Sequence, residues 1–320
     1  MNLVRILTFK IPQLICFLTP LYISTVTLAN TLNESVSLTM QALPAGTFVQ
    51  GSQVDELGYK EQYGPAHKVS INRFYLSKKE VSIREFRTFV QATAYVSDAE
   101  RNVVVWGDSS EGCWSAKVKN SPKMTWVAEH SWRNPGFLQS ESHPVVCVSW
   151  NDAMAYVAWL KTETDLDYRL PSESEFEYAL RAGTQSPNAW RDDEPICTQV
   201  NHADKSLRGA FPDWKNETSD CSDGYQFSAP VGSFKANSFG IYNLIDNVSE
   251  WTADCWYETY EGAPNDGRHW VEISAVKCKG RVLRGGDFTS PVSQLRSSHR
   301  TWIPAEFRTY HAGFRIALSR

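Results

Sequence analysis

Apolar positions recur with helical period in three places along the chain. Ile83, Phe86, Phe89 and Val90 follow Ser82 and Glu85, the serine and glutamate of a capping box, so this segment predicts a helix with one buried face. Residues 144–160 begin as an apolar run that predicts a buried strand. They pass at Ser149 to Asp152 into a helix on which Ala155, Tyr156, Trp159 and Leu160 share a side. Residues 168–183 repeat the scheme, with Ser172 and Glu175 as the capping box, Phe176, Ala179 and Leu180 facing inward, and Gly183 as the stop. Glu173, Glu175 and Glu177 lie at the start of that helix, where the backbone dipole favours anions, and this reading is preferred to a catalytic one.

Strand signals are weaker. Residues 40–52 carry β-formers broken by Pro44, Gly46 and Gly51, and residues 68–76 predict one further strand. Between residues 94 and 142 neither period appears. Trp106, Trp114, Trp126 and Trp132 stand there among glycine, serine, asparagine and lysine, which predicts a long irregular region pinned by rings. Such rings either close a small core of their own, the preferred reading, or line a groove. No repeat, low-complexity tract or linker interrupts residues 38–319, so a single mature domain is expected, with helices set on an irregular, β-containing body.

Composition changes this picture little. With 320 residues, 42% hydrophobic, the chain can bury a sizeable core. A net charge of -4 gives no electrostatic reason to expect nucleic acid or a membrane surface as partner. Residues 1–29 read as a signal peptide, with Arg5 and Lys10 ahead of an apolar run and small residues around Ala29. Pro12, Gln13 and Pro20 interrupt that run, which favours a cleaved segment over a retained membrane anchor, and residues 30–37 read as a flexible amino terminus. The mature chain is therefore expected to be secreted or periplasmic, with no membrane span. Removing the leader takes away Cys16 and leaves Cys113, Cys147, Cys197, Cys221, Cys255 and Cys278, an even set for which disulfides are the default. Proximity along the chain suggests Cys197 with Cys221 and Cys255 with Cys278.

The candidate chemistry lies in the last third. Asn243, Asp246, Asn247 and Glu250 crowd hard oxygen donors between aromatic anchors, the donor type that calcium selects. A polar loop whose Asx side chains cap local N–H groups is the alternative. The order N-x-F-G-x-Y-N-x-x-x-N-x-x-E-W (237–251), R-V-x-R-G-G (281–286), L-R-S-x-x-R (295–300) and G-F-R (313–315) resembles the formylglycine-generating-enzyme (sulfatase-modifying factor) family. The likeness extends upstream to residues 44–48, 67–74, 80–81 and 144–181. It implies an α+β fold, a variant of the C-type lectin fold with little regular secondary structure. It also implies two structural calcium sites. One would use the side chains of Asn201 and Asp223 with the carbonyls of His202 and Tyr225. The other would use the side chains of Asn243 and Glu250 with the carbonyls of Asp246 and Val248, Asp246 replacing the usual glycine.

The chain departs from the family pattern at the centre of its chemistry. Formylglycine generation in the family resembles copper-dependent oxidation through two cysteines that follow the Gly-Gly dipeptide, since thiolates suit monovalent copper. Here Ser290 and Leu295 occupy those places and no cysteine follows Cys278. Copper and formylglycine-generating activity are therefore not expected. The corresponding pocket would be lined by Asp287, Ser290, His299 and Arg300 with Trp251 nearby, a set for which ligand binding is preferred to catalysis; Arg296, Arg300 and Arg315 are expected to pair with internal carboxylates. The resulting reading is a calcium-stabilised domain that binds a peptide, a small molecule or an envelope protein. The rival is an oxidoreductase of the same family with an iron-type centre acting on a secreted metabolite.

Overall fold

The computed structural model describes residues 39–105, 107, 110–116, 122–188, 190, 193–214, 217–271 and 278–319. The expected signal segment, residues 30–37 and Trp106 lie outside the described residues.

Three capped helices form where the apolar period predicts them. α1 (Ile83–Thr93) and α2 (Trp150–Thr164) start at Ser82 and Ser149, and α3 (Glu173–Arg181) starts at Ser172. Each serine accepts the N–H three residues on and that residue's carboxylate returns to the serine N–H, which satisfies two of the donors a helix start leaves open. A short α4 (Lys205–Ala210) is capped by Asp204.

The β-structure is divided among small sheets. β1 (Met40–Leu43), β4 (Phe74–Ser77), β12 (Ala317–Leu318) and β7 (Tyr168–Arg169) form one, in the order β1-β4-β12-β7. β10 (Arg300–Ile303), β9 (Arg281–Arg284), β8 (Ser249–Cys255) and β11 (Ala312–Phe314) form the second, with β11 parallel to β8. Two hairpins complete the set, β2 (Gly46–Gln50) with β3 (His67–Ile71), and β5 (Cys113–Ala116) with β6 (Met124–Val127).

Two strand expectations are corrected. Residues 68–76 are not one strand: the strand is interrupted at Asn72 and Arg73, and β3 and β4 join different sheets. The apolar run at residues 145–148 is buried but forms no strand, because Cys147 adopts a positive φ of 57° and the run's N–H groups go singly to the carbonyls of Val81 and Thr309. The irregular region holds the β5–β6 hairpin, where Trp114 and Trp126 face one another across the strands at 5.6 Å and pack on Phe307. These rings close a local core, as does Trp132, which sits fully buried against Phe86.

One apolar cluster fills the space between α1, α2 and the second sheet, around Phe86, Phe89, Tyr156, Trp251 and Phe314. Another lies between α3 and the first sheet, around Phe74, Leu76, Phe176 and Leu295. Disulfides join Cys197 to Cys221 and Cys255 to Cys278, the suggested pairs, and Cys113 to Cys147.

Candidate functional site

The stretch after β9 is pinned to the loop before β8. Gly286 N–H donates to the Ile245 carbonyl and Phe288 N–H to the Asn247 carbonyl, each at 3.0 Å. The Gly-Gly dipeptide is required here. Gly285 has φ +79°, and a Cβ on Gly286 would meet the Leu295 side chain and come within 2.9 Å of the Ile245 oxygen.

At Asp287 the chain makes a tight polar turn. Its carboxylate accepts the Thr289 N–H at 2.8 Å, the Thr289 hydroxyl at 2.5 Å and the Ser249 hydroxyl at 3.2 Å. The Asp287 N–H donates to Ser290 Oγ at 3.1 Å. His311 Nδ1 lies 3.1 Å from Asp287 Oδ2, an ion-pair approach without the alignment of a good hydrogen bond. Burial pushes the Asp287 carboxyl up, but His311 and the Thr289 donors outweigh it and hold the group below its usual range. Sequence reasoning missed His311, Ser249 and Thr289. His311 is 24 positions from Asp287, and only the parallel register of β11 on β8, Ala312 opposite Ser249, brings it there.

The rest of the expected pocket set does not converge on this turn. Trp251 is fully buried in the core and donates through Nε1 to the Val148 carbonyl. Arg300 is bidentate to Glu173, between the rings of Trp256 and Tyr260. His299 stands at the other end of the dipeptide, 3.2 Å from the Gly285 carbonyl, and burial pushes its pKa down to about 4. Leu295 is a core residue. Asp287, Ser290 and His311 are thus the groups the fold places together.

The first expected calcium set is assembled. The Asp223 carboxylate accepts N–H groups from His202 at 3.2 Å and Tyr225 at 2.8 Å, while Asn201 Oδ1 is buried without a partner. Among the described residues the carbonyls of His202 and Tyr225 accept no hydrogen bond. Burial raises the Asp223 pKa, and the neighbouring Asp204 carboxylate adds to the shift. An unmatched amide oxygen, two unmatched carbonyls and a carboxylate short of positive charge fit a hard cation.

The second set is more encumbered. Glu250 is bidentate to the buried Arg315 at 2.6 and 2.7 Å, and Asn243 Oδ1 accepts the Gly232 N–H. Asp246 turns its carboxylate to the Asn201 N–H and the Asn243 amide, and Val248 is buried beside it. Even so, Glu80, Asp246 and Glu250 all act on one guanidinium. Burial pushes Asp246 up to about 7 and Glu80 up to about 8. Three carboxylates against one arginine leave negative charge that a cation or protons must offset, so this set also fits calcium, with Glu250 shared.

Comparison with known proteins decides the family. The model of the sulfatase-modifying factor enzyme 1-like domain matches residues 27–320. The chain belongs to the formylglycine-generating-enzyme family. It is 32% identical over 298 residues to the formylglycine-generating enzyme of Thermomonospora curvata, covering 89% of this chain and 94% of that one. It is 30% identical over 264 residues to the inactive C-alpha-formylglycine-generating enzyme 2 of Bos taurus, covering 76% and 80%. The solved structure of PvdO from Pseudomonas aeruginosa superposes with a TM-score of 0.69 at 32% identity, covering 88% of this chain and 94% of that one. The architecture is accordingly the formylglycine-generating-enzyme variant of the C-type lectin fold, with few helices and several small sheets.

Proposed function

We propose that this formylglycine-generating-enzyme-type domain is a secreted or periplasmic, calcium-stabilised binding protein rather than a sulfatase-cysteine oxidase. The observation that carries the reading is the state of its sulfur. By the resemblance Ser290 and Leu295 fall where the family's thiols belong, no cysteine follows Cys278, and Cys113, Cys147, Cys197, Cys221, Cys255 and Cys278 are all consumed in disulfides. No thiolate pair remains to hold monovalent copper. That a family relative carries the name of an inactive enzyme is consistent with such a loss. Three disulfides support an oxidising compartment, and no helix of the described residues is long and apolar enough to cross a membrane.

The surface around Asp287, Ser290 and His311 is the ligand site in this reading, taking a peptide, a small molecule or an envelope partner through a fixed anion and an imidazole. Calcium would be held by Asn201, His202, Asp223 and Tyr225, and by Asn243, Asp246, Val248 and Glu250. Its role there is to fix loops that few backbone ladders hold. The domain would span residues 38–319 after removal of residues 1–29. The test is metal analysis of the purified mature protein together with an aldehyde assay on a cysteine-containing sulfatase peptide supplied with copper. Calcium without iron or copper, and an unmodified peptide, are expected. Conversion of the peptide, or stoichiometric iron or copper, would overturn the reading in favour of an oxidoreductase.

A further inference from the structure

A cavity of roughly 1150 Å³ opens on the face formed by the loop at residues 135–138, helix α4 and the loop at residues 222–228. Neither Asp287 nor Ser290 lines it, so it is separate from the turn described above. Its apolar wall is aromatic. Phe137 and Phe227 stack at 4.5 Å with 15° between planes, and Phe211 and Tyr310 stand edge-on to them. Phe288 packs behind, edge-on to Phe137, Phe227 and Tyr310, so the wall is rigid. At the rim Leu138 is 99% exposed, an apolar side chain open to solvent beside the cavity.

The polar lining has one sign. The chain carries 36 acidic side chains and a net charge of -4, yet among the described residues no aspartate or glutamate lines this cavity, whereas Lys205, His130 and His143 do. Lys205 is exposed and makes no ion pair with any described residue. His143 Nδ1 accepts the Ser140 N–H at 3.0 Å, so a neutral ring carries its proton on Nε2 as a donor with no partner among the described residues. Asp223 lies between the lining residues Ser222 and Gly224, but its carboxylate is turned to the N–H groups of His202 and Tyr225.

We propose that this cavity binds a small planar aromatic carboxylate, its ring against the Phe137–Phe227 wall beneath Leu138 and its carboxylate met by Lys205 and an imidazole N–H. A site of this size, apolar with a few convergent donors, suits a small molecule. The excess of cationic and N–H donors over acids selects an anion. The inference does not depend on the reading of the Asp287 turn.

Calorimetric titration of the mature protein with 2-naphthoate, and with the uncharged 2-naphthalenemethanol as control, tests it. Saturable 1:1 binding of the acid is expected, with the alcohol bound roughly tenfold more weakly, the share of one charge-assisted hydrogen bond. Lys205→Ala is expected to remove that preference without weakening the alcohol, since the residue is exposed and its loss leaves the fold intact by near-UV circular dichroism. No binding of the acid, equal binding of acid and alcohol, or an unchanged preference in Lys205→Ala would each overturn the proposal.

Discussion

Arg284 shows how single side chains hold this interior together. It is fully buried, donates to Glu177 at 2.6 Å, and satisfies the carbonyls of Ser297, Ser298 and His299. Glu177, also fully buried, is shared with Arg181 and the Gly51 N–H, and Arg284 Nη1 approaches Glu173 at 3.7 Å. Buried ions of this kind are costly to strip of one partner, because the charge left behind has no water to turn to. Arg284→Met is therefore expected to destabilise the fold by about 3–5 kcal/mol, read from urea unfolding. Arg284→Met combined with Glu177→Gln is expected to cost more than Arg284→Met alone, since the buried Arg181 that shares Glu177 then loses its carboxylate as well. A double variant no worse than the single would show that Arg181 does not depend on the Glu177 charge. The sequence made part of this legible. Arg296, Arg300 and Arg315 do pair with Glu56, Glu173 and Glu250 as the polar pattern suggests. It gave no sign that Arg308 would instead be buried on the carbonyls of Val103, Gly112 and Glu306 over the Trp126 ring, because carbonyl partners leave no trace in residue type.

Among the elements, those that close locally were readable and those that close across the chain were not. Capping boxes and apolar period lie within a dozen residues, and α1, α2 and α3 start where they place them. The break between β3 and β4, and the irregular apolar run before α2, depend on partners far along the chain: β12 for one, Cys113 and Thr309 for the other. The Asp287–His311 approach was hidden for the same reason. The Cys113–Cys147 disulfide ties the β5–β6 hairpin to the start of α2, closing a loop of 34 residues in a region with little regular structure. Loop-closure entropy for that length is roughly 3–4 kcal/mol. Replacing both cysteines by serine is expected to lower stability by about that amount and to expose the Trp114–Trp126 pair, seen as a red shift in fluorescence before global unfolding. A loss below about 1 kcal/mol would mean that the ring cluster with Phe307 holds the hairpin unaided.

For the molecule as a whole, the buried acids set how stability responds to pH. Glu80 is 2% exposed; Oε1 accepts the Asn247 amide at 2.7 Å, Oε2 has no partner, and burial pushes the group up to about 8. Asp254 is raised in the same direction by burial and by the Glu173 charge. In the unfolded chain both would ionise in the ordinary carboxylate range. The folded state therefore holds more protons from about pH 4.5 to pH 8, and stability falls as pH rises through that interval. Histidines lowered by burial, His299 foremost, act in the opposite sense, but only below their ordinary value near 6.5. Above pH 6.5 the acids act alone. In chelator, stability is expected to fall by roughly 1–3 kcal/mol between pH 6.5 and 8.5, and Glu80→Gln should flatten part of that slope. Calcium shared by Glu250 would supply the missing positive charge beside Glu80 and Asp246, favour their ionised forms, and flatten the slope in the wild-type chain as well. A steep profile that is the same with and without calcium would show that no cation enters beside Arg315. The surplus charge of Glu80, Asp246 and Glu250 would then be carried by protons alone.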